Sequence, residues 1–163
     1  MSAKTKSIII QLSCYLFFLL FLYAAANKLM DLQKFSVQLG QSPLLTDYAN
    51  FITWFIPAIE ILISLFLINK RTLLFGLYGS FGLMLMFTVY IFFILNFAER
   101  IPCSCGGILE KMGWTEHLIF NIFFVLLALL AIILQTKSDD IELKSDRGLR
   151  YFIAIKAGDA ENL

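Results

Sequence analysis

Charge is what this chain has least of. Acidic and basic side chains make up 15% of its 163 residues, against about 25% in an ordinary soluble domain. The two signs nearly cancel, leaving a formal net charge of +1. Such a balance offers no electrostatic footprint for nucleic acid and none for an acidic partner. Cysteine is scarce as well. Three residues are too few for a disulfide scaffold, and an odd number leaves at least one unpaired. No internal repeat is apparent, which sets aside solenoids and other arrays.

Apolar mass fills the rest. Hydrophobic residues reach 60%, mean hydropathy is +0.81, and seventeen residues are Phe. That exceeds what one small soluble core needs. The excess is concentrated in four runs: Ile8 to Ala26, Phe51 to Ile68, Leu73 to Leu95 and Leu118 to Leu134. About 20 apolar residues span a bilayer as a helix. Lipid offers no hydrogen bonds to the backbone, so each run must satisfy its own amides as a helix. The strands of a membrane barrel would alternate polar and apolar residues, and these runs do not. The expected fold is therefore all-α: an integral membrane bundle of four transmembrane helices in residues 1–135, with a charged tail over 136–163.

Basic residues orient the bundle. Lys and Arg accumulate on the cytoplasmic side of membrane proteins. Lys4, Lys6, Lys70, Arg71, Lys137, Lys144, Arg147, Arg150 and Lys156 fall on one side; Lys28, Lys34, Arg100 and Lys111 fall on the other. Both termini are thus expected in the cytoplasm, and the Lys28–Asn50 and Glu99–Trp114 loops outside. Lys4, Lys6 and the small residues Ala24-Ala25-Ala26 also fit a cleaved secretory signal. The apolar stretch between them is longer than such a signal needs, so it is read as a retained span.

Local patterns refine the picture. Leu32, Phe35 and Leu39 recur at spacings of three and four, the mark of one apolar helical face. A short interfacial helix ending near Gly40, with Pro43 preventing its continuation, follows. Trp54 and Trp114 flank the second and fourth spans, where the membrane interface favours Trp. Gly76, Gly79, Ser80 and Gly82 cluster on the third span. Lacking a strand-to-helix turn, they read as a close helix contact rather than a phosphate cradle. The tail reads as a partly ordered cytoplasmic segment.

The sharpest chemical feature is Pro102-Cys103-Ser104-Cys105-Gly106-Gly107 in the second outer loop. A disulfide between positions i and i+2 closes a small ring away from relaxed geometry, and strain makes it easier to reduce. Such a bond suits a shuttle better than a staple. Two inert thiols, or a bond that merely shapes the loop, are the plainer reading. Cys103, Cys105 and His117 would give a metal three ligands, but a structural zinc usually has four and wider cysteine spacing; no metal site is expected. His117, the only histidine, opens the fourth span on the same side. It is a candidate for tuning a thiolate, or an interfacial histidine bonded to a loop. Cys14 lies in the opposite half of the first span. With about 30 Å of hydrocarbon between the faces, it reads as a small buried apolar residue.

Glu60 is the other conspicuous residue. An ionisable group near mid-membrane is costly and marks a functional site by default. It reads as a packing anchor or as a proton-handling group. Lys28 is its expected partner, because the long stem can snorkel across to it.

At these residues the chain resembles the MauE branch of the DoxX-like membrane proteins, over roughly residues 8–135. The resemblance rests on Ala24-Ala25-Ala26-Asn27-Lys28-Leu29-Met30-Asp31, Pro57-Ala58-Ile59-Glu60, the Pro102–Gly107 segment and Gly113-Trp114. The family pattern typically reads Cys-x-Cys-Phe-Gly, and Gly106 stands here in place of the aromatic residue. The resemblance implies a four-helix membrane protein of a bacterial cytoplasmic membrane, tied to thiol–disulfide chemistry. It implies work beside a thioredoxin-like partner in maturing a disulfide-rich methylamine dehydrogenase. A related idea is a membrane thiol oxidoreductase, like the vitamin-K-epoxide reductases, that passes electrons to quinone. No stretch of the sequence reads as a quinone site, and no cofactor is evident. The leading expectation is a membrane thiol–disulfide relay through Cys103 and Cys105. A non-catalytic scaffold or assembly subunit, and a small-solute transporter using Glu60, are the competing classes.

Overall fold

The computed structural model describes residues 3–41, 45–97 and 113–160, with side chains described for 4–41, 45–97 and 113–138. Every described element is helical. The order is α1 (Ala3–Met30), α2 (Leu32–Gly40), a 3-10 turn (Thr46–Tyr48), α3 (Ala49–Ile68), α4 (Leu73–Phe97) and α5 (Trp114–Ala160). Four of these are long and apolar enough to cross a membrane: Lys4–Met30, Thr46–Ile68, Leu73–Phe97 and Trp114–Ser138. Each contains one of the four apolar runs. The sides that look away from the bundle carry large apolar residues such as Leu19, Leu65, Phe75 and Ile119, each more than half exposed. In water that pattern would be a liability; in lipid it is the surface that belongs there.

The four spans form a ring. α1 packs mainly on α3, α3 on α4, α4 on α5, and α5 closes on α1. Consecutive spans run antiparallel, so one end of the bundle gathers the C-termini of α1 and α4 with the N-termini of α3 and α5. That end is called here the Lys28 end. Aromatic rings fill the centre. Phe17 of α1 is fully buried, stacks on Phe21 at 5.9 Å between centroids, and meets Phe124 of α5 edge-on at 5.4 Å. Edge-on and offset contacts are the arrangements that ring quadrupoles favour.

The α3–α4 turn shows how closely two spans approach. A Cβ on Gly76 would lie 2.9 Å from the Leu67 backbone nitrogen, and one on Gly79 would lie 3.1 Å from Ile63. The expected small-residue contact is present at these two positions, and Ser80 is fully buried. Gly82 differs: a Cβ there would meet nothing within 4 Å. Thr72 locks the turn by donating its hydroxyl to the Phe66 carbonyl at 3.0 Å. Seryl and threonyl hydroxyls elsewhere on buried faces bond back to their own helix, as Ser13, Ser64 and Ser80 do at 2.7–2.8 Å. They are thereby satisfied without crossing the bundle.

α2 is the expected short helix. Asp31 caps it, its carboxylate accepting from the Lys34 backbone N–H at 3.0 Å. Its inward face is Phe35, Gln38 and Leu39, all buried, with Leu32 half-buried beside them. Pro43, the expected barrier to its continuation, lies outside the described residues. At the far end of the chain, α5 does not stop with the apolar run. Its backbone stays helical to Ala160, through residues expected to be only partly ordered. The sequence holds no proline beyond Pro102, and it places Asp140 four residues before Lys144 and Asp146 four before Arg150, spacings that support a helix.

Candidate functional site

The site draws on all four spans. α1 carries Lys28 in its last turn. α3 carries Glu60 one turn after Pro57. Proline removes one backbone hydrogen bond from a helix, a loss that transmembrane helices tolerate when neighbours re-satisfy the freed carbonyl. The Lys28 ammonium donates to Glu60 Oε1 at 2.6 Å, a short charge-assisted bond. Glu60 is wholly buried, whereas Lys28 keeps 18% of its side chain exposed. The amine also reaches the Ala24 carbonyl at 3.5 Å.

Two rings enclose the cation. Its nitrogen stands 5.8 Å from the Phe35 centroid and 5.9 Å from that of Phe87, within reach of their negative faces. Phe35 comes from α2 and Phe87 from α4, so the lysine draws three helices and the interfacial helix together. Glu60 Oε2 has no hydrogen-bond partner among the described residues. A buried acceptor left unmet is unusual enough to call for an explanation.

The pair lines a cavity of about 450 Å³, walled by α1, α2, α3, α4 and α5. Its lining is mostly apolar and aromatic, with Asn27 and Gln38 among its polar members. Besides Lys28 and Glu60, His117 and Trp114 enter it from α5 and Tyr90 from α4. α5 is set in place by its own first turn. The Glu116 carboxylate accepts from the Gly113 backbone N–H at 2.8 Å, half of a capping box, with negative charge at the positive end of the helix. His117 is half-buried one residue further on.

The sequence-derived candidates thus fall into two groups. Lys28, Glu60 and His117 line one cavity. Cys103 and Cys105 lie outside the described residues, in the segment joining the end of α4 to the start of α5. Cys14 is buried in the core on the other half of α1 with a free thiol. Trp54 is largely exposed on the bundle's outer surface. Among the described residues no group of three ligating side chains could hold a metal. Sequence reasoning missed Phe35 and Phe87 as the walls around the cation. Phe35 was visible only as part of an apolar helical face; nothing marked Phe87 among seventeen phenylalanines.

Fold and site together define a multi-pass membrane protein, an all-α bundle with a charged pair lining a largely apolar cavity. Within that class the chain belongs to the MauE family: the model of Methylamine utilisation protein MauE matches residues 6–134, which takes in all four apolar runs. No curated protein and no solved structure matches the chain.

Proposed function

We propose that this protein is a thiol–disulfide relay in a bacterial cytoplasmic membrane, exchanging through Cys103 and Cys105 with an extracytoplasmic thioredoxin-like domain. The observation that carries the reading is the place of the Cys-Ser-Cys segment. It joins α4 to α5, at the bundle end where Lys28, His117 and the cavity converge. The distribution of basic residues puts this end outside, where disulfides persist. In the exchange, a thiolate of the pair attacks the partner's disulfide, and one partner sulfur leaves as a thiolate. The second cysteine then attacks the mixed disulfide and releases the partner as a dithiol. The pair loses two electrons and the partner gains them; the reverse direction runs through the same intermediate. His117 would tune the attacking thiolate, and the Lys28–Glu60 pair would hold α1 against α3 beneath the loop. Membership of a family named for methylamine utilisation supports a client in that metabolism.

The test is a trap. Changing only the resolving cysteine leaves the mixed disulfide unresolved, so either Cys103→Ser or Cys105→Ser should yield a covalent partner complex that reductant releases. A scaffold whose cysteines only shape a loop predicts no such species from either variant, and retained function in the double variant if it folds. That outcome would overturn the relay.

A further inference from the structure

We propose that the cavity at the Lys28 end holds one acyl chain of a membrane glycerophospholipid, taken in sideways from the bilayer, with its ester carbonyl at Lys28. Such binding is independent of the cysteine pair. The volume of about 450 Å³ is within the range of about 300–1,000 Å³ typical of small-molecule sites. The exposed members of the lining are Tyr23, Tyr48, Phe51, Phe55 and Met86, and each lies within a span. Where the cavity is open, it therefore opens toward lipid. α3 and α4 approach closely at Leu67–Gly76 and Ile63–Gly79 near their turn. Carried toward the Lys28 end, that antiparallel register puts Phe55 about level with Met86, and the two mark a lateral cleft between the spans. α2 turns its buried Phe35, Gln38 and Leu39 to the same space, so the interfacial helix covers the cavity.

The lining changes character with depth, as a phospholipid does. Lys28 stands in the last turn of its span, Tyr48 in the first turn of its own, and Trp114 opens the fourth. That is the level of the membrane interface, which favours Trp and Tyr and where the ester groups of phospholipids lie. Further in, α1 offers Leu20 and Phe21, α4 offers Met84 and α5 offers Phe120. Along α3 the lining runs from Tyr48 to Glu60, about 18 Å at the helical rise. Half of the hydrocarbon core is about 15 Å. A compact polar ligand would match neither the depth nor the gradient.

The polar lining selects the head. Lys28 and Glu60 are its only formally charged residues, and they already neutralise each other at 2.6 Å. Glu60 is wholly buried, so the charge within a ligand's reach is the ammonium alone. A fatty-acid carboxylate would bring a second anion with no second cation to match it, a costly burial. An alkylamine would set one cation against another. A neutral acceptor avoids both. An ammonium has three donors. One meets Glu60 and one reaches the Ala24 carbonyl at 3.5 Å; the third suits an ester carbonyl. Asn27 spends a donor on the Tyr23 carbonyl at 2.9 Å, and Tyr23, Gln38 and Tyr90 each have an interaction of their own. Tyr48, Trp114 and His117 add polar edges toward the interface, where the headgroup and its phosphate would stay in water.

The site contains its own reporter. Trp114 lines the cavity, whereas Trp54, the chain's other tryptophan, is exposed on the outer surface and does not. Each becomes the sole reporter when the other is changed to Phe. The full chain in dodecylmaltoside micelles is titrated with a phosphatidylcholine brominated near the ester of one acyl chain, bromine being a contact quencher of indole emission. Quenching of Trp114 should saturate, and excess unbrominated phosphatidylcholine should reverse it. Quenching of Trp54 should rise without saturation. Ala24→Phe, which fills the cavity from α1, should weaken binding by about tenfold or more, and Ile52→Phe fills it from α3 if Ala24→Phe fails to fold. Lys28→Met/Glu60→Leu removes the ammonium without stranding a carboxylate. It should weaken binding by about tenfold, the scale of one charge-assisted hydrogen bond. Trp114 quenching that never saturates, or that folded cavity-filling variants leave unchanged, overturns the site. Unchanged binding in the double variant, or dodecane competing as well as phosphatidylcholine, overturns the ester contact. Palmitate competing more tightly than phosphatidylcholine overturns the neutral head.

Discussion

Removing Lys28 should destabilise the bundle more than removing Glu60, although the two are partners in one bond. Glu60 is wholly buried and Lys28 is 18% exposed. In Lys28→Met, the carboxyl group is left inside the bundle with no donor for either oxygen. The variant also loses the ring contacts at 5.8 and 5.9 Å, worth about 0.5–1 kcal/mol each. In Glu60→Leu, the ammonium can instead snorkel toward the interface. Breaking a buried pair costs about 3–5 kcal/mol in soluble proteins. Polar contacts between membrane helices average only about 0.6 kcal/mol and reach about 1.7, because the unfolded chain in the membrane also finds partners. A 2.6 Å charged contact with one partner wholly buried belongs at the upper end of that membrane range. Expected losses are about 2–3 kcal/mol for Lys28→Met and about 1–2 for Glu60→Leu. Glu60→Gln, which keeps an acceptor for the lysine, should lose less than about 1 kcal/mol. The Lys28→Met/Glu60→Leu double variant should be more stable than the sum of its parts by about 1–2 kcal/mol, since an apolar pair leaves nothing unmet. Reversible unfolding in mixed detergent micelles measures all four. Additive losses, or a Lys28→Met variant as stable as Glu60→Gln, would refute the argument. Complete loss of activity in Glu60→Gln at unchanged stability would instead assign Glu60 to proton handling.

The glycines of α4 make a second prediction, one of opposite signs. Gly76→Ala drives a Cβ to 2.9 Å from the Leu67 backbone and should destabilise by about 1–2 kcal/mol, overpacking outweighing the gain in helix propensity. Gly82→Ala meets nothing within 4 Å and should be neutral or up to about 1 kcal/mol stabilising in the same unfolding assay; equal effects would refute the α3–α4 contact. Topology is tested in a Cys14→Ala background with single cysteines. Cys103 or Cys105 alone should react with an impermeant thiol reagent in intact cells, and cysteines replacing Lys70 or Lys144 only after permeabilisation; the reverse pattern would remove the compartment on which the redox reading rests.

The fold was legible because lipid imposes one rule. A run such as Leu73–Phe97 contains no charge, and a chain that crosses a bilayer without water has to be a helix there. The interfacial helix was legible for a different reason: Phe35 and Leu39 keep helical spacing, and Asp31 stands where a cap is needed. The length of α5 was not legible. Its charged continuation has no apolar periodicity to announce it, and helix there rests on the absence of proline and on charge spacing, both weak signals. The glycines were half legible. Composition marked Gly76, Gly79 and Gly82 alike, but only the rotation of α4 against α3 decides which of them faces a neighbour.

The candidate site was legible as single residues and hidden as an arrangement. Glu60 stands out because a charge inside an apolar run is expensive, and the expense implies a partner. Lys28 could be chosen because its stem is long enough and its position on α1 falls at a span end. What no sequence pattern could supply is that the pair leaves Oε2 unmet and lines a cavity built from five helices. The linings come from residues 20 to 120, each unremarkable where it stands: a phenylalanine among seventeen, a tryptophan at an interface, one histidine at a helix start. Their meaning lies in convergence, and convergence is set by the ring order of the spans. If α5 did not close on α1, Trp114 and His117 would not share a space with Lys28. The same ring that buries Phe17 against Phe124 therefore also brings the charged pair and its aromatic surroundings into one space. In this bundle the packing of the core and the chemistry of the site are one constraint.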